Sequence, residues 1–215
     1  MDSSIIWFVG TVKRRTYRST IRRGDAPRLI CAAASQLFST KGYLGTSIDD
    51  IAAEAGVARP TVFSAVGPKP VILKAVVDQA MAGDDAPTPV AQRPWFTEAT
   101  AEPDPVRSVR LHARNLTWIV QRVALLLRAL ETAAGVDADA AALYLDVRRQ
   151  RRTGTAGIAA NIASKATLRC DEQVLADLIF TLPPDAYVRF VHEEGWPVEK
   201  FEAWLADLLQ HYCLP

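Results

Sequence analysis

The sequence predicts an all-α protein, and three stretches carry that prediction. They are a pair of short amphipathic segments around Gly56, an unbroken helical period over residues 104–131, and two closing segments with aromatic side chains at helical spacing. The chain has 215 residues, 49% of them hydrophobic, enough to bury a sizeable core in one large or two small helical domains. A formal charge of only +1 hides an asymmetry: residues 1–80 carry 11 Lys and Arg against 6 Asp and Glu, the remainder 14 against 18. A basic amino-terminal third suits a phosphate-facing part joined to one without such a partner.

Residues 1–24 read as a basic flexible arm. Lys13, Arg14, Arg15, Arg18, Arg22 and Arg23 can follow a duplex backbone or a minor groove, or form a solvated tail. The apolar run at 5–9 is too short to cross a bilayer, and no signal-peptide cleavage pattern follows it, so neither a targeting segment nor a membrane partner is expected. A first helix is predicted over 27–41, with Asp25 near its start, Gly42 past its end, and Ile30, Ala33, Ala34, Leu37 and Phe38 in one stripe. Ser47 can cap a second helix whose Ile48, Ile51, Ala52 and Ala55 share a buried face. Gly56 supplies a sharp turn that favours positive φ, and Val57 gives the flanking helices a common apolar contact. The next helix starts near Ala58. It carries Arg59, Pro60, Thr61 and Ser64 outward and leaves Val62, Phe63 and Val66 with inward options, the layout of a helix presented to a major groove. A fourth, over 71–81, has Ile72, Leu73, Val76 and Val77 to bury.

Five prolines between 83 and 105 mark a boundary, so the chain divides at 25–82 and 83–215, with Trp95 and Phe96 anchoring a short helical piece between them. Residues 104–131 form the longest element, roughly 42 Å if helical throughout. One stripe runs Val109, Ala113, Leu116, Val120, Val123, Leu127, Leu130, and a second, Leu111, Trp118, Leu125, lies at another angle. Two apolar faces suit a central helix that packs a core and borders a cavity. Residues 137–165 are expected to form one or two helices, broken or bent near Gly154 and Gly157. Another, over 171–181, is stopped by Pro183 and Pro184. The closing helices, 184–194 and 197–211, carry Tyr187, Phe190 and Val191, then Phe201, Trp204, Leu205, Leu208 and Leu209. Aromatics of this kind are enriched where chains associate.

Gly42, Tyr43, Thr46, Ser47, Ile48, Ile51, Ala52, Ala55, Gly56, Val57, Thr61 and Lys69 stand in the order found in tetracycline-repressor-type proteins. Over residues 28–80 the chain resembles the TetR family of transcriptional regulators. The resemblance implies an amino-terminal three-helix helix-turn-helix domain and a carboxy-terminal helical domain for ligand binding and dimerisation. It also implies a homodimer on a palindromic duplex operator, usually a repressor released by a small-molecule effector. Thr46, Ser47, Arg59, Pro60, Thr61, Phe63, Ser64 and Lys69 are the candidate DNA contacts. Arg59 can read a guanine edge bidentately or clamp a phosphate, Thr46 and Ser47 can meet a phosphate or simply cap, and Lys69 matches the family's phosphate-contacting lysine. Tyr187, Phe190, Phe201, Trp204, Leu205 and Leu208 are the candidate dimer contacts, with ordinary core as the alternative. Trp118, Arg122, Leu126, Tyr144, Arg148 and Phe180 are the candidate ligand contacts, with packing or a solvated face as theirs. The basic run Arg148, Arg149, Arg151, Arg152 can meet an acidic ligand or water.

Two departures stand out. Where the family carries Tyr, then Tyr or His, then Phe at the end of the recognition helix, this chain has Phe63, Ala65 and Val66, losing two polar phosphate contacts. Pro68 and Pro70 flank Lys69, so the following helix must begin without a side-chain cap. No Gly-rich phosphate loop, metal-ligand spacing or paired His and carboxylate occurs, and His112, His192 and His211 are scattered. The expectation is therefore no enzyme, cofactor or metal. Cys31, Cys170 and Cys213 have no paired spacing, which suits a reducing cytoplasm. Two other classes stay open: a dimeric helical ligand-binding module with degraded DNA binding, and an all-α enzyme.

Overall fold

Pro27 sits in the first turn of α1 (Ala26–Lys41), where its missing N–H leaves no bond unmade, and Gly42 with φ 72° ends the helix. The computed structural model describes residues 24–83 and 88–215, and the basic arm with the apolar run at 5–9 lies outside the described residues. Asp25 occupies the cap position without a side-chain cap bond. Next come α2 (Ile48–Ala55), α3 (Arg59–Ala65) and α4 (Lys69–Ala82). As the flanking prolines require, α4 starts with no side-chain cap. Ile30, Leu37 and Phe38 of α1, Ile51 of α2, Val62 of α3 and Ile72, Leu73, Val76 and Val77 of α4 close a core at one end of the molecule.

That core does not stop at residue 82. Leu126, Ala129 and Leu130 of α6 (Pro105–Ala134) and Leu143 and Val147 of α7 (Ala138–Ala163) belong to the same buried cluster. Between α4 and α6 lie a short 3-10 turn, Val90–Gln92, and α5 (Pro94–Ala101), which carries Trp95 and Phe96 as expected. At 30 residues, α6 is about 45 Å long and joins two cores. Its amino-terminal half packs with α7, α8 (Glu172–Tyr187) and α9 (Val198–Cys213) around Val109, Leu116, Ile162, Leu175, Ile179, Tyr187, Phe201 and Leu205. The first predicted stripe of α6 is buried apart from half-buried Leu127; on the second, Leu111 and Leu125 are half-buried and Trp118 is exposed.

Two expected breaks are absent. Helix α7 runs straight past Gly154 and Gly157, both exposed with open space where a Cβ would stand. An interior glycine costs about 1 kcal/mol relative to alanine, and burial of Thr155, Ile158, Ala159 and Ile162 beside them outweighs that. Helix α8 continues through Pro183 and Pro184 into a π turn at Val188–Glu193, so the expected helices at 171–181 and 184–194 are one. A proline at 184 deprives the Phe180 carbonyl of its helical N–H, and Arg151 Nη2 of α7 donates to that carbonyl at 2.7 Å instead. Gly195, with φ 69°, then reverses the chain, and Trp196 N–H donates back to the Phe190 carbonyl at 2.8 Å. No disulfide joins Cys31, Cys170 or Cys213, and among the described residues no helix is long and apolar enough to cross a membrane.

Candidate nucleic-acid interface and ligand cavity

The α2–α3 pair is built by local chemistry. Ser47 Oγ accepts the Asp50 N–H at 3.0 Å, while the Asp50 carboxylate accepts the Ser47 N–H at 2.8 Å, a reciprocal capping box. At the other end Gly56, with φ 68° and ψ 26°, takes the left-handed conformation, and Val57 N–H donates to the Ala52 carbonyl at 3.0 Å. The turn aims α3 away from the body. Val62 is its one fully buried side chain; Arg59, Pro60, Phe63 and Ser64 are exposed and Thr61 is half-buried. Phe63, given an inward option by the sequence, points out with 45% of its surface exposed.

Arg59 Nη1 pairs with Asp49 at 2.6 Å across the turn, and its guanidinium lies 5.8 Å from the Phe63 ring centroid. Both partners of that pair are largely exposed, so the pair holds little energy and Arg59 can exchange it for a base edge. Asp50 is held below the usual carboxylate range, chiefly by the Ser47 hydroxyl and backbone N–H, with Lys41 adding to them at 3.7 Å. Thr46 is a correction: it is 1% exposed and its hydroxyl donates to the Gly42 carbonyl at 2.8 Å, so it builds the turn and offers phosphate nothing. Ser47 stays exposed but is engaged in its capping box. Lys69, half-buried, sets its Nζ 3.9 Å from the centroid of Tyr43. Burial lowers its pKa, and the carboxylates of Asp137 and Asp50 oppose that. The Tyr43 hydroxyl donates to Asp137 at 3.1 Å, and burial followed by this bond raises the phenol above its ordinary value. Asp137 caps α7, so a Lys69–Tyr43–Asp137 chain ties the start of α4 to the body.

Behind α4 lies a cavity of about 380 Å³ walled by α4 to α8. Met81 and Asp78 border it from α4, Phe96 from α5, Leu116, Ile119, Val120, Val123 and Leu127 from α6, Arg151, Thr155 and Ile158 from α7, and Ile179, Pro183 and Pro184 from α8. None of the six residues expected there lines it. Leu126 is fully buried in the first core, one residue's rotation away from Leu127. Arg122 instead braces α4, donating from Nε to the Ala80 carbonyl at 2.8 Å and stacking 3.3 Å from the Trp118 ring. Trp118 covers Gly83 so closely that a Cβ there would collide with its ring. Tyr144, Arg148 and Phe180 line a smaller cavity of about 180 Å³, separated from the first by Arg151, Leu127 and Pro184. The sequence held one unused signal: Val147, Arg151 and Thr155 recur every fourth residue on the inner face of α7, which singles out Arg151 from its neighbouring arginines.

On the carboxy-terminal helices, Tyr187 is 2% exposed and Phe201 and Leu205 are wholly buried within this chain. They are core, a correction to the expected dimer set. Phe190, Trp204 and Leu208 keep part of their surface, and Tyr212 is exposed. Phe190 stacks on Trp196 at 4.4 Å, with Trp204 edge-on at 5.0 Å.

Residues 30–76 match the family model for bacterial regulatory proteins of the tetR family. Over that segment the chain is similar to the TetR family. Beyond that segment the likeness is one of fold. A protein from Saccharomonospora viridis solved in complex with choline superposes with a TM-score of 0.66 at 18% identity, covering 89% of this chain and 99% of that one. A TetR-like transcriptional regulator from Rhodococcus sp. RHA1 gives 0.59 at 19% identity over 89% of this chain and 97% of its own. No curated protein sequence matches the chain. The matched segment takes in most of α1, all of α2 and α3, and the first half of α4.

Proposed function

We propose that the chain acts as a homodimer that represses transcription from a palindromic operator and is released when a small molecule fills the cavity behind α4. The observation that carries this reading is the position of α4. Its first residue, Lys69, adjoins the reader, and its last turn, Met81 and Ala82, borders the cavity. A ligand that moves α4 therefore moves α3, and two recognition helices must keep a separation of about 34–36 Å to sit in successive turns of one groove. The polar face of α3 supplies the contacts: Arg59 to a base edge, Thr61 and Ser64 to a thymine methyl or phosphate, Pro60 and Phe63 to the groove wall, and Ser47 and Lys69 to the backbone. Reader and ligand domain meet near residues 82–83, sharing the α6–α7 end of the first core.

The partner copy docks on the outer stripe of α9, where Trp204, Leu208 and Tyr212 follow one another every four residues beside Phe190. Trp204→Asp should leave a soluble, folded monomer with weak operator binding. The function is tested by selecting bound fragments from random duplex DNA: enrichment of a palindrome with half-site centres one turn apart supports the reading, and retention of random sequence at all salt concentrations overturns it.

A further inference from the structure

Four arginines crowd one stretch of α7, and two have carboxylate partners: Arg149 pairs with Asp146 at 3.0 Å, and Arg152 pairs with Asp177. Arg148 donates to the Tyr144 hydroxyl at 3.3 Å and borders only the smaller cavity. Arg151 lines the larger one. It donates one hydrogen bond, to the Phe180 carbonyl, and its guanidinium lies 4.6 Å from the Phe180 ring; among the described residues no carboxylate stands within ion-pair distance. The side chain is half-buried and forms the partition between the two cavities. A guanidinium stays charged even when burial disfavours it, as here, where the more distant Asp185 opposes the effect of burial and Arg148 and Arg152 reinforce it. Among the described residues that line the cavity the one carboxylate, Asp78, is already engaged by Lys74 at 2.6 Å. What remains, among the described residues, is an apolar chamber with one cation in its wall that has no carboxylate within ion-pair distance, of the size that suits a small organic molecule.

We propose that the larger cavity takes an organic carboxylate, its apolar body lying among Leu116, Ile119, Val123 and Ile158 and its carboxylate accepting hydrogen bonds from the free N–H groups of Arg151. The assignment rests on the reading of this cavity as the effector site, and it adds the charge and polarity of the effector. An anion there gives Arg151 the kind of partner that Arg149 and Arg152 already have, and a planar guanidinium meets a carboxylate with two parallel bonds. Because Arg151 also holds the carbonyl freed by Pro184, the anion is anchored at the proline step of α8 and sits across the chamber from α4.

The test uses the full chain without DNA and three probes of equal tail length: decanoate, 1-decanol and decyltrimethylammonium, titrated calorimetrically. Decanoate should bind about ten- to a hundredfold more tightly than decanol, with the ammonium weakest. Arg151→Gln, which keeps an amide donor for the Phe180 carbonyl, should bring decanoate down to the level of decanol, and Ile119→Trp should abolish both by filling the chamber. Equal affinities for decanoate and decanol in the wild-type chain, or an undiminished preference in Arg151→Gln, overturn the proposal. If decanol binds without a carboxylate preference and Ile119→Trp removes it, the cavity reading survives and the anchor falls. If no probe binds, or binding persists in Ile119→Trp, both fall. Should Arg151→Gln fail to fold by circular dichroism, the wild-type probe comparison alone decides.

Discussion

Helix α3 buries one side chain, Val62, among its seven residues, whereas α6 buries fourteen of its thirty, including Ser108, His112, Asn115 and Thr117. The first is a surface held out on a short stalk; the second is a beam shared by two cores. Substitutions on α3 should therefore alter what the molecule binds while leaving it folded, and substitutions on α6 should do the reverse.

The sharpest separation comes from Leu126→Ala. Leu126 is wholly buried where α6 enters the reader's core, and its truncation should cost about 2–5 kcal/mol in urea unfolding and weaken DNA binding only through unfolding. A folded, fully stable Leu126→Ala protein would break the picture of α6 as a shared beam. On α3, Arg59→Ala should lose about 1–3 kcal/mol of discrimination between operator and random duplex with little change in melting temperature, because its pair with Asp49 is exposed. Lys69→Ala should weaken binding to every sequence alike and lower the salt slope by about one. Equal loss on operator and random DNA for Arg59→Ala would assign it to phosphate.

A pH dependence sharpens the contrast further. His112 of α6 is wholly buried with Nδ1 unpartnered, Nε2 against Asn161 at 3.0 Å, and Lys165 near by. Burial lowers its pKa below the ordinary value of 6.5, so the unfolded chain binds the proton more readily than the folded one. Stability should be level above that value and fall as pH drops below it, and His112→Gln should flatten the curve between pH 7 and 5. The smallest effect is expected from Gly157→Ala on α7, where open space awaits the methyl: a gain of about 0.4–1 kcal/mol, read as a rise in melting temperature.

The same contrast explains what was legible beforehand. The α2–α3 unit could be read from residues 47–62 because its cap, its left-handed glycine and its apolar period act within a few residues of one another. The run of α8 through Pro183 and Pro184 could not, because the group that satisfies the freed carbonyl comes from Arg151 on another helix. Around α6 and α9 the error was one of rotation. Leu126 and Leu127 differ by about 100° around the helix, enough to move a residue from core to cavity wall. On α9 the stripe Phe201, Leu205, Leu209 is core, and the stripe Trp204, Leu208, Tyr212 beside it keeps the exposed surface. Periodicity names the stripes, but which neighbour covers each is settled by packing.

Methylation protection at guanine N7 on a selected operator tests most directly whether the Arg59 face of α3 enters the major groove. The account predicts two protected patches about one helical turn apart, with Arg59→Ala exposing the guanine in each while backbone protection from hydroxyl radicals persists. Guanines that stay fully reactive in the wild-type complex, or a pattern that Arg59→Ala leaves unchanged, would contradict it.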